Sequence, residues 1–187
     1  MRSLVTQTVI VTTTYLHIPT PADFRPATSD DPDLTVVQSP EPSVAFYRFL
    51  YDAVGRDFVW VDRLAWTDAR LRAHLARPTT TVVVLSLRGT PVGYIELDAA
   101  SEEPGTEIAY FGLVPAVHGR GFGRHLLSVG VQRAFDDGAA RIWLHTCTLD
   151  GPHALTNYMA RGFVPYRTTT HEEAIRAEPP GSGEETE

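Results

Sequence analysis

The residues best suited to chemistry form the glycine loop, His118-Gly119-Arg120-Gly121-Phe122-Gly123-Arg124, at the predicted start of a helix. Glycine is costly inside a helix, so this run indicates a turn that needs backbone freedom or close approach. Backbone N–H groups at a helix N-terminus are unpaired and carry positive potential. The glycine loop therefore suits a phosphate or pyrophosphate group, and two arginines of the loop, Arg120 and Arg124, would add charge.

Three kinds of phosphate-binding loop can be compared with the glycine loop. A Walker loop requires Gly-Lys-Ser/Thr, and the chain has no lysine. The dinucleotide fingerprint G-x-G-x-x-G fails, because its third glycine position holds Arg124 or Leu126, depending on the start. The acyl-CoA loop, Q/R-x-x-G-x-G/A, matches at Gly121 and Gly123 and departs at His118. On these residues alone, a glycine-rich turn without a ligand stays open.

Three segments together resemble the GNAT superfamily of acyl-CoA-dependent N-acyltransferases. The segment 114–127, VPAVHGRGFGRHLL, is similar to that family's central motif. The segment 154–163, ALTNYMARGF, is similar to its A-x-x-x-Y-x-x-x-G-F signature, and 106–114, TEIAYFGLV, resembles the strand that carries a general-base glutamate. The likeness spans about residues 80–170. It implies a GNAT fold and the transfer of an acetyl group from acetyl-CoA to an amine.

The resemblance assigns roles by position. Glu107 would be the base that removes a proton from the amine, directly or through a water, and Tyr158 the acid that protonates the departing thiolate. Main-chain N–H groups near Leu113 and Val114 would bind the thioester oxygen. No metal is expected. Acetyl-CoA is the expected co-substrate, and the residues expected to bind it are Phe111, Leu113, Val114, His118, Gly119, Arg120, Gly121, Phe122, Gly123 and Arg124.

The strand that carries Glu107 offers a physical reason for its role. On a regular strand, positions 107, 109, 111 and 113 share a face. Glu107 would then lie in line with Phe111 and Leu113 and be partly desolvated, which raises a carboxyl pKa toward neutrality. The alternative is a glutamate in solvent at the strand end, with three other residues in reserve as bases: Glu96, Asp98 and His145.

Two departures from the family pattern bear on the other site residues. His118 replaces a glutamine or arginine, and we expect it to matter little, since its own N–H can still serve the loop. Gly151 stands where the family often has asparagine, which weakens a side-chain contact to the pantetheine arm. For Tyr158 the alternative role is a tyrosine of the hydrophobic core.

Hydrophobic periodicity predicts the elements that must position these residues. Their order is β, α, α, β, β, β, α, β, α, β, which is an α/β chain with a central mixed, mostly antiparallel sheet of six or seven strands and about four helices. Residues 107–146 predict a right-handed crossover between parallel strands. Strands are predicted at 6–18, 34–38, 80–99 as a hairpin, 107–114, 141–146 and 163–170. Helices are predicted at 43–55, 67–77, 124–137 and 151–162.

Charge and composition bound the class of protein. The formal net charge is −7, but residues 172–187 hold six glutamates and one arginine and so carry −5 of it. A body without a basic excess disfavours nucleic-acid binding. No apolar run of about 20 residues predicts a membrane span, and the single cysteine, Cys147, is typical of a reducing, cytoplasmic compartment. We expect one GNAT domain at 1–171 and an acidic, disordered tail at 172–187.

The resemblance leaves the acceptor of the acetyl group open between classes of amine. We expect a small-molecule primary amine, without excluding a peptide or protein amine. An aromatic-rich segment at 46–66 could form an acceptor wall, although core packing is the more ordinary role for such residues. A non-catalytic acyl-CoA-binding module and a GNAT fold without CoA binding are the alternatives. A homodimer through the late strands is compatible with the resemblance.

Overall fold

In the computed structural model, residues 5–58, 60–151 and 153–177 are described. They contain a seven-stranded sheet, whose strands are β1 (Val5–Ile18), β2 (Leu34–Ser39), β3 (Thr80–Leu87), β4 (Thr90–Asp98), β5 (Thr106–Leu113), β6 (Ile142–Cys147) and β7 (Val164–Ala177). Their spatial order is β2-β3-β4-β5-β6-β1-β7. Only β5 and β6 are parallel neighbours among these strands, so the predicted mixed, mostly antiparallel sheet is confirmed.

All four predicted helices are present, with bounds that differ from the predicted ones by up to three residues. They are α1 (Val44–Gly55), α2 (Asp68–Leu75), α3 (Phe122–Asp136) and α4 (Ala154–Ala160). The side chains of Ser43 and Thr67 cap α1 and α2 by accepting backbone hydrogen bonds from Phe46 and Arg70. After α4, Gly162 has a φ of +98°, and a Cβ there would lie 2.1 Å from a backbone oxygen of Asp23. Within the described residues, none of these helices has the length and apolar character that crossing a membrane requires.

The two faces of the sheet carry separate hydrophobic cores. On the α3 face, Ile95 and Leu97 of β4 pack in one cluster with Leu126 and Leu127 of α3. On the α1/α2 face, Tyr94 packs in a second cluster with residues of α1 and α2. Alternation along β4 therefore sends neighbouring residues into different layers.

Strand β7 extends beyond the predicted start of a disordered tail. Residues 172–177 pair with residues 5–10 of β1, so the prediction of disorder is wrong for this part of the tail. The reason is that β1 lies between β6 and β7, and its edge on the β7 side offers backbone partners from residue 5 to residue 17. The backbone groups of residues 172–177 pair with the first part of that edge. Residues 178–187 of the predicted tail lie outside the described residues.

Candidate active site

Strands β5 and β6 are parallel neighbours that pair only where they begin. Thr106 lies opposite Ile142, and Glu107 lies opposite Trp143. Beyond these pairs β5 continues to Leu113 with no β6 partner, which leaves a gap inside the sheet. We call this opening the β5/β6 gap. Backbone groups along its edge need partners, so the gap suits an extended ligand that pairs like a strand.

The pairing of β4 with β5 decides which backbone groups face the β5/β6 gap. The N–H of Val114 donates to the carbonyl of Val92 at 2.8 Å. Backbone groups alternate in direction along a strand, so those of Leu113 point toward the gap. The expectation that the Val114 amide binds the ligand is therefore wrong, because β4 already engages it. Leu113 keeps the geometry of a donor to a ligand in the gap.

The glycine loop presents unpaired amides at the end of this gap. Gly119 and Gly121 have φ values of +76° and +81°, and Gly121 is the N-cap residue of α3. The helix begins at Phe122, two residues before its predicted start at Arg124. Within the described residues, the amides of 119–121 make no backbone hydrogen bond outside regular elements. With the free N-terminal amides of α3, they provide a group of unpaired donors of the kind that suits an anion.

Three arginines add positive charge around the glycine loop. The guanidinium of Arg124 lies over Gly121, where an added Cβ would be 3.2 Å from its Cζ atom. The guanidinium of Arg120 lies 4.5 Å from the centre of the Phe122 ring. Burial lowers the pKa of Arg161, and the nearby charge of Arg124 lowers it further. Sequence reasoning missed Arg161, although it directly precedes the Gly-Phe pair of the signature segment.

His118 joins the glycine loop to the end of β5. Its Nε2 atom donates a hydrogen bond to the carbonyl oxygen of Leu113 at 2.9 Å. The backbone N–H of His118 donates to the carbonyl oxygen of Pro115 at 3.1 Å, so it is not free to bind an anion. The expectation that its N–H serves the loop is therefore wrong. The His118 side chain instead holds the loop against the residue that faces the gap.

Glu107 lies on the opposite face of β5 from the one that regular alternation predicts. The pairing of β4 with β5 slips by one residue, which leaves Ala109 extra in a β-bulge. Glu107 therefore shares the α1/α2 face with Tyr110, while Phe111 and Leu113 belong to the α3 core. The predicted alignment of Glu107 with Phe111 and Leu113 is wrong, because a bulge reverses the alternation.

The surroundings of Glu107 favour a proton acceptor near neutral pH. Its side chain is 18% exposed, and it lies opposite Asp98 of β4. Burial raises the pKa of Glu107 to about 7, and the negative charges of Asp98 and Glu96 raise it as well, while Arg63 acts in the other direction. A base whose pKa lies near the working pH is the most effective one. The Nε2 atom of His145 lies 4.0 Å from the Glu107 Oε1 atom.

A buried charge network anchors the α1/α2 face beside Glu107. The carboxylate of Glu96 is fully buried and accepts hydrogen bonds from Tyr47, from Arg63 at 3.0 Å and from His74 Nε2 at 2.8 Å. Burial by itself would raise the pKa of Glu96, but these three donors hold it below its ordinary value. Glu96 is thus a fixed charge with its acceptor sites in use, which argues against its reserve role as a base.

Aromatic residues of the α1 region divide between the core and the site. Tyr47 and Tyr51 are fully buried, so core packing describes them. The ring of Phe58 lies 6.4 Å from that of His118, centre to centre, and an added Cβ at Gly151 would be 3.3 Å from the same ring. Phe58 therefore lies between the glycine loop and the segment that leads into α4.

Tyr158 lies on the α3 face of the β5/β6 gap. Its ring is 6.0 Å from that of Phe111 and 5.9 Å from that of Phe163, centre to centre, and the residue is 8% exposed. Burial raises the pKa of its hydroxyl, with a smaller contribution from the negative charge of Asp150. Tyr158 is thus part of the hydrophobic core and also a hydroxyl that stays protonated, as an acid must.

A family model matches the central part of the chain. Residues 47–163 match the acetyltransferase (GNAT) family. This range includes the base candidate, the glycine loop and the signature segment. A comparison with curated proteins gave no significant match.

Solved structures with the same fold include two GCN5-related N-acetyltransferases. The one from Kribbella flavida is 20% identical over 93% of this chain and 61% of its own, with a TM-score of 0.61. The one from Sphaerobacter thermophilus is 17% identical over 93% of this chain and 54% of its own, with a TM-score of 0.65. The chain thus spans less than two thirds of the length of either structure.

A third structure matches this chain over most of its own length. It is an aminoglycoside acetyltransferase from an uncultured soil metagenomic sample, in complex with trehalose. It is 18% identical over 71% of this chain and 90% of its own, with a TM-score of 0.59. At such identities the likeness shows the fold.

The raised pKa of Glu107 makes the stability of the fold depend on pH. Its pKa rises from the ordinary 4.5 in the unfolded chain to about 7 in the folded one. The stability that Glu107 contributes is therefore fully present below about pH 4.5 and is lost as the pH rises through about 7. Glu107→Gln should remove this loss. We expect the variant to exceed the wild type by up to about 3 kcal/mol in urea unfolding near pH 8, and to match it near pH 4.5.

An exposed glutamate provides the matched control for this measurement. Glu41 is exposed before α1, and Glu41→Gln should keep the pH profile of the wild type. Parallel profiles for Glu107→Gln and the wild type would show that Glu107 titrates normally in the fold.

Proposed function

The chain belongs to the GNAT acetyltransferase family, and we propose that it transfers the acetyl group of acetyl-CoA to a primary amine of a small molecule. The observation that carries this proposal is the place of Glu107. A mostly buried carboxyl with a pKa of about 7 lies where β5 and β6 separate. It can therefore remove a proton at the edge of the gap.

The chain offers acetyl-CoA a binding path that fits its chemistry. The amides of 119–121 and the first turn of α3 suit the pyrophosphate. The edge of β5 that faces the β5/β6 gap suits the extended pantetheine arm, with Leu113 as a backbone partner. When bound, acetyl-CoA supplies an activated acetyl group as a thioester.

Glu107 and Tyr158 act from opposite faces of β5 in this proposal. An alkyl ammonium has a pKa of about 10, so it must lose a proton before it can attack. Glu107 takes that proton on the α1/α2 face. The N–H of Leu113 donates to the thioester oxygen as negative charge builds on it. Tyr158, on the α3 face, gives its proton to the departing thiolate, and the second proton that the amine nitrogen loses restores the Tyr158 hydroxyl.

The charges on the α1/α2 face support a cationic acceptor. Asp62 accepts a hydrogen bond from the hydroxyl of Tyr110 at 3.3 Å and is exposed. Arg63, its neighbour, is paired with the buried Glu96. Because the charge of Arg63 is used by Glu96, the carboxylates of Asp62 and Glu107 give the α1/α2 face a negative charge that suits a cationic acceptor. The likeness to an aminoglycoside acetyltransferase adds small polyamines of that kind to the acceptors to be tested.

A screen for thiol release tests the proposed function. Acetyl-CoA would be combined with kanamycin, spermidine, free amino acids and lysine-containing peptides, and we expect release with a small amine. For that amine, kcat/KM should rise with pH through about 7 as Glu107 loses its proton. Glu107→Gln should lower kcat at least about tenfold and leave the KM for acetyl-CoA within about twofold.

Two results of the screen would point elsewhere. Binding of acetyl-CoA without thiol release for any amine would favour a non-catalytic acyl-CoA-binding module. Fastest release with a peptide would favour a peptide or protein acceptor.

The acid role of Tyr158 is tested by removing one atom. Tyr158→Phe keeps the ring in its packing between Phe111 and Phe163 and deletes only the hydroxyl. We expect kcat to fall about tenfold or more with the KM for the amine nearly unchanged. Phe163→Leu, which alters the same packing without touching a hydroxyl, controls for repacking. An unchanged kcat for Tyr158→Phe would limit this residue to the core.

The hydrogen bond from His118 to Leu113 predicts that His118→Ala raises the KM for acetyl-CoA more than His118→Gln does. His118→Gln keeps an N–H donor that can reach the Leu113 carbonyl, so the KM for acetyl-CoA should stay within a few-fold. His118→Ala removes the donor, and loss of one hydrogen bond predicts a rise in KM of about 3- to 10-fold. Equal KM values for His118→Ala and the wild type would show that the bond does not hold the loop.

A further inference from the structure

The proposed reaction releases one proton per turnover, and that proton needs a way out. An ammonium loses two protons when it becomes an amide, and the departing thiolate takes up one of them. The other passes through Glu107, whose side chain is only 18% exposed. A protonated Glu107 cannot serve the next acceptor, so it must return its proton before each turnover. The following inference rests on the proposed function.

His145 lies beside Glu107 and is more exposed to solvent than Glu107 is. Glu107 pairs with Trp143 across the start of β5 and β6, and His145 follows two residues later on the same face. Its Nε2 atom lies 4.0 Å from the Glu107 Oε1 atom, and its side chain is 50% exposed. The imidazole therefore has one end near the carboxyl and part of its surface in contact with water.

We propose that His145 is a proton-relay residue that carries the proton of Glu107 to solvent. In the relay step, the O–H bond of Glu107 breaks and an N–H bond forms at His145 Nε2. Glu107 becomes a carboxylate again, and His145 becomes an imidazolium. The imidazolium then releases the proton to water, which restores both groups. The step requires the 4.0 Å separation to shorten to hydrogen-bond length, and the half-exposed imidazole has room to rotate for this.

The surroundings of His145 keep its imidazole neutral before it accepts the proton, and they favour rapid release of that proton to water. Burial lowers the pKa of His145, while Asp150 and Asp62 raise it and Arg167 lowers it. A neutral imidazole is thus the form that meets a protonated Glu107 at neutral pH. Glu107 in turn faces charged groups from β4, from the loop between β4 and β5 and from the segment before α2, namely Asp98, Glu96, Glu102 and Arg63.

His145 also packs against aromatic rings, and the test must separate that role from proton transfer. Its ring centre lies 5.6 Å from that of Tyr15 and 6.5 Å from that of Trp143. A structural role would be lost on substitution and would not return with a soluble base. Proton transfer can be taken over by a small base that reaches the vacated space.

Chemical rescue of His145→Ala provides the first test. The full chain would be assayed with acetyl-CoA and the fastest amine among kanamycin, spermidine, glycine and a lysine-containing peptide. We expect kcat to fall about tenfold while the KM for acetyl-CoA stays within about twofold. Added imidazole should restore kcat at least about threefold, and His145→Gln should show no rescue, because its side chain still fills the space. His171→Ala, at another half-exposed histidine, should behave like the wild type.

Two kinetic outcomes would overturn the relay. One is a His145→Ala variant whose kcat lies within about twofold of the wild type. The other is a loss of kcat that imidazole does not reverse, which would assign His145 to packing. If the wild type itself releases no thiol with any amine, the proposed function fails separately.

A titration of His145 by NMR tests the pairing without any acceptor. The Glu107 carboxylate should stabilise the imidazolium, so Glu107→Gln should lower the apparent pKa of His145 by about half a unit or more. The signal of His171 serves as an internal reference. An unchanged His145 titration in Glu107→Gln would contradict the coupling on which the relay depends.

Discussion

The separation of β5 from β6 is the constraint on which the site depends. A central strand normally satisfies its backbone groups on both sides, yet β5 beyond Glu107 has only β4 as a strand partner. The glycine loop begins where β5 ends, and His118 ties the loop to the last gap-facing residue, Leu113. Unpaired strand groups and unpaired loop amides thus follow one another along the chain. Together they suit a long ligand with an anionic group near α3.

The buried carboxylate of Glu96 supports the other side of the site. Removing an unpaired carboxylate from water costs several kcal/mol, so Glu96 depends on its donors. Those donors come from three parts of the chain: Tyr47 from α1, Arg63 from the segment before α2, and His74 from α2. One charge in β4 therefore fixes the elements that form the acceptor side. The same charge contributes to the field at Glu107.

Local signals in the sequence predicted more of this structure than non-local pairing did. Nearby residues are enough to predict the glycine loop as a helix start and the place of Glu107 at the start of its strand. The extra residue Ala109 is not, because EIAYFGLV shows no sign of where its pairing with β4 slips. The hydrogen bond from the Val114 amide to β4 also depends on strand pairing, which the nearby sequence does not reveal. The acidic end of β7 has the composition of a tail, and only its pairing with the first residues of β1 makes it a strand.

The bulge at Ala109 connects the fold to its chemistry. With regular alternation, Glu107 would face the α3 core, where a charge has no partner. With the bulge it faces Asp98, whose own charge is paired with Arg77 at 2.7 Å. Like charges opposite each other on neighbouring strands destabilise a sheet. Burial and that repulsion together raise the pKa of Glu107 to about 7. The same raised pKa therefore lowers the stability of the fold at alkaline pH and makes Glu107 an effective base near neutral pH.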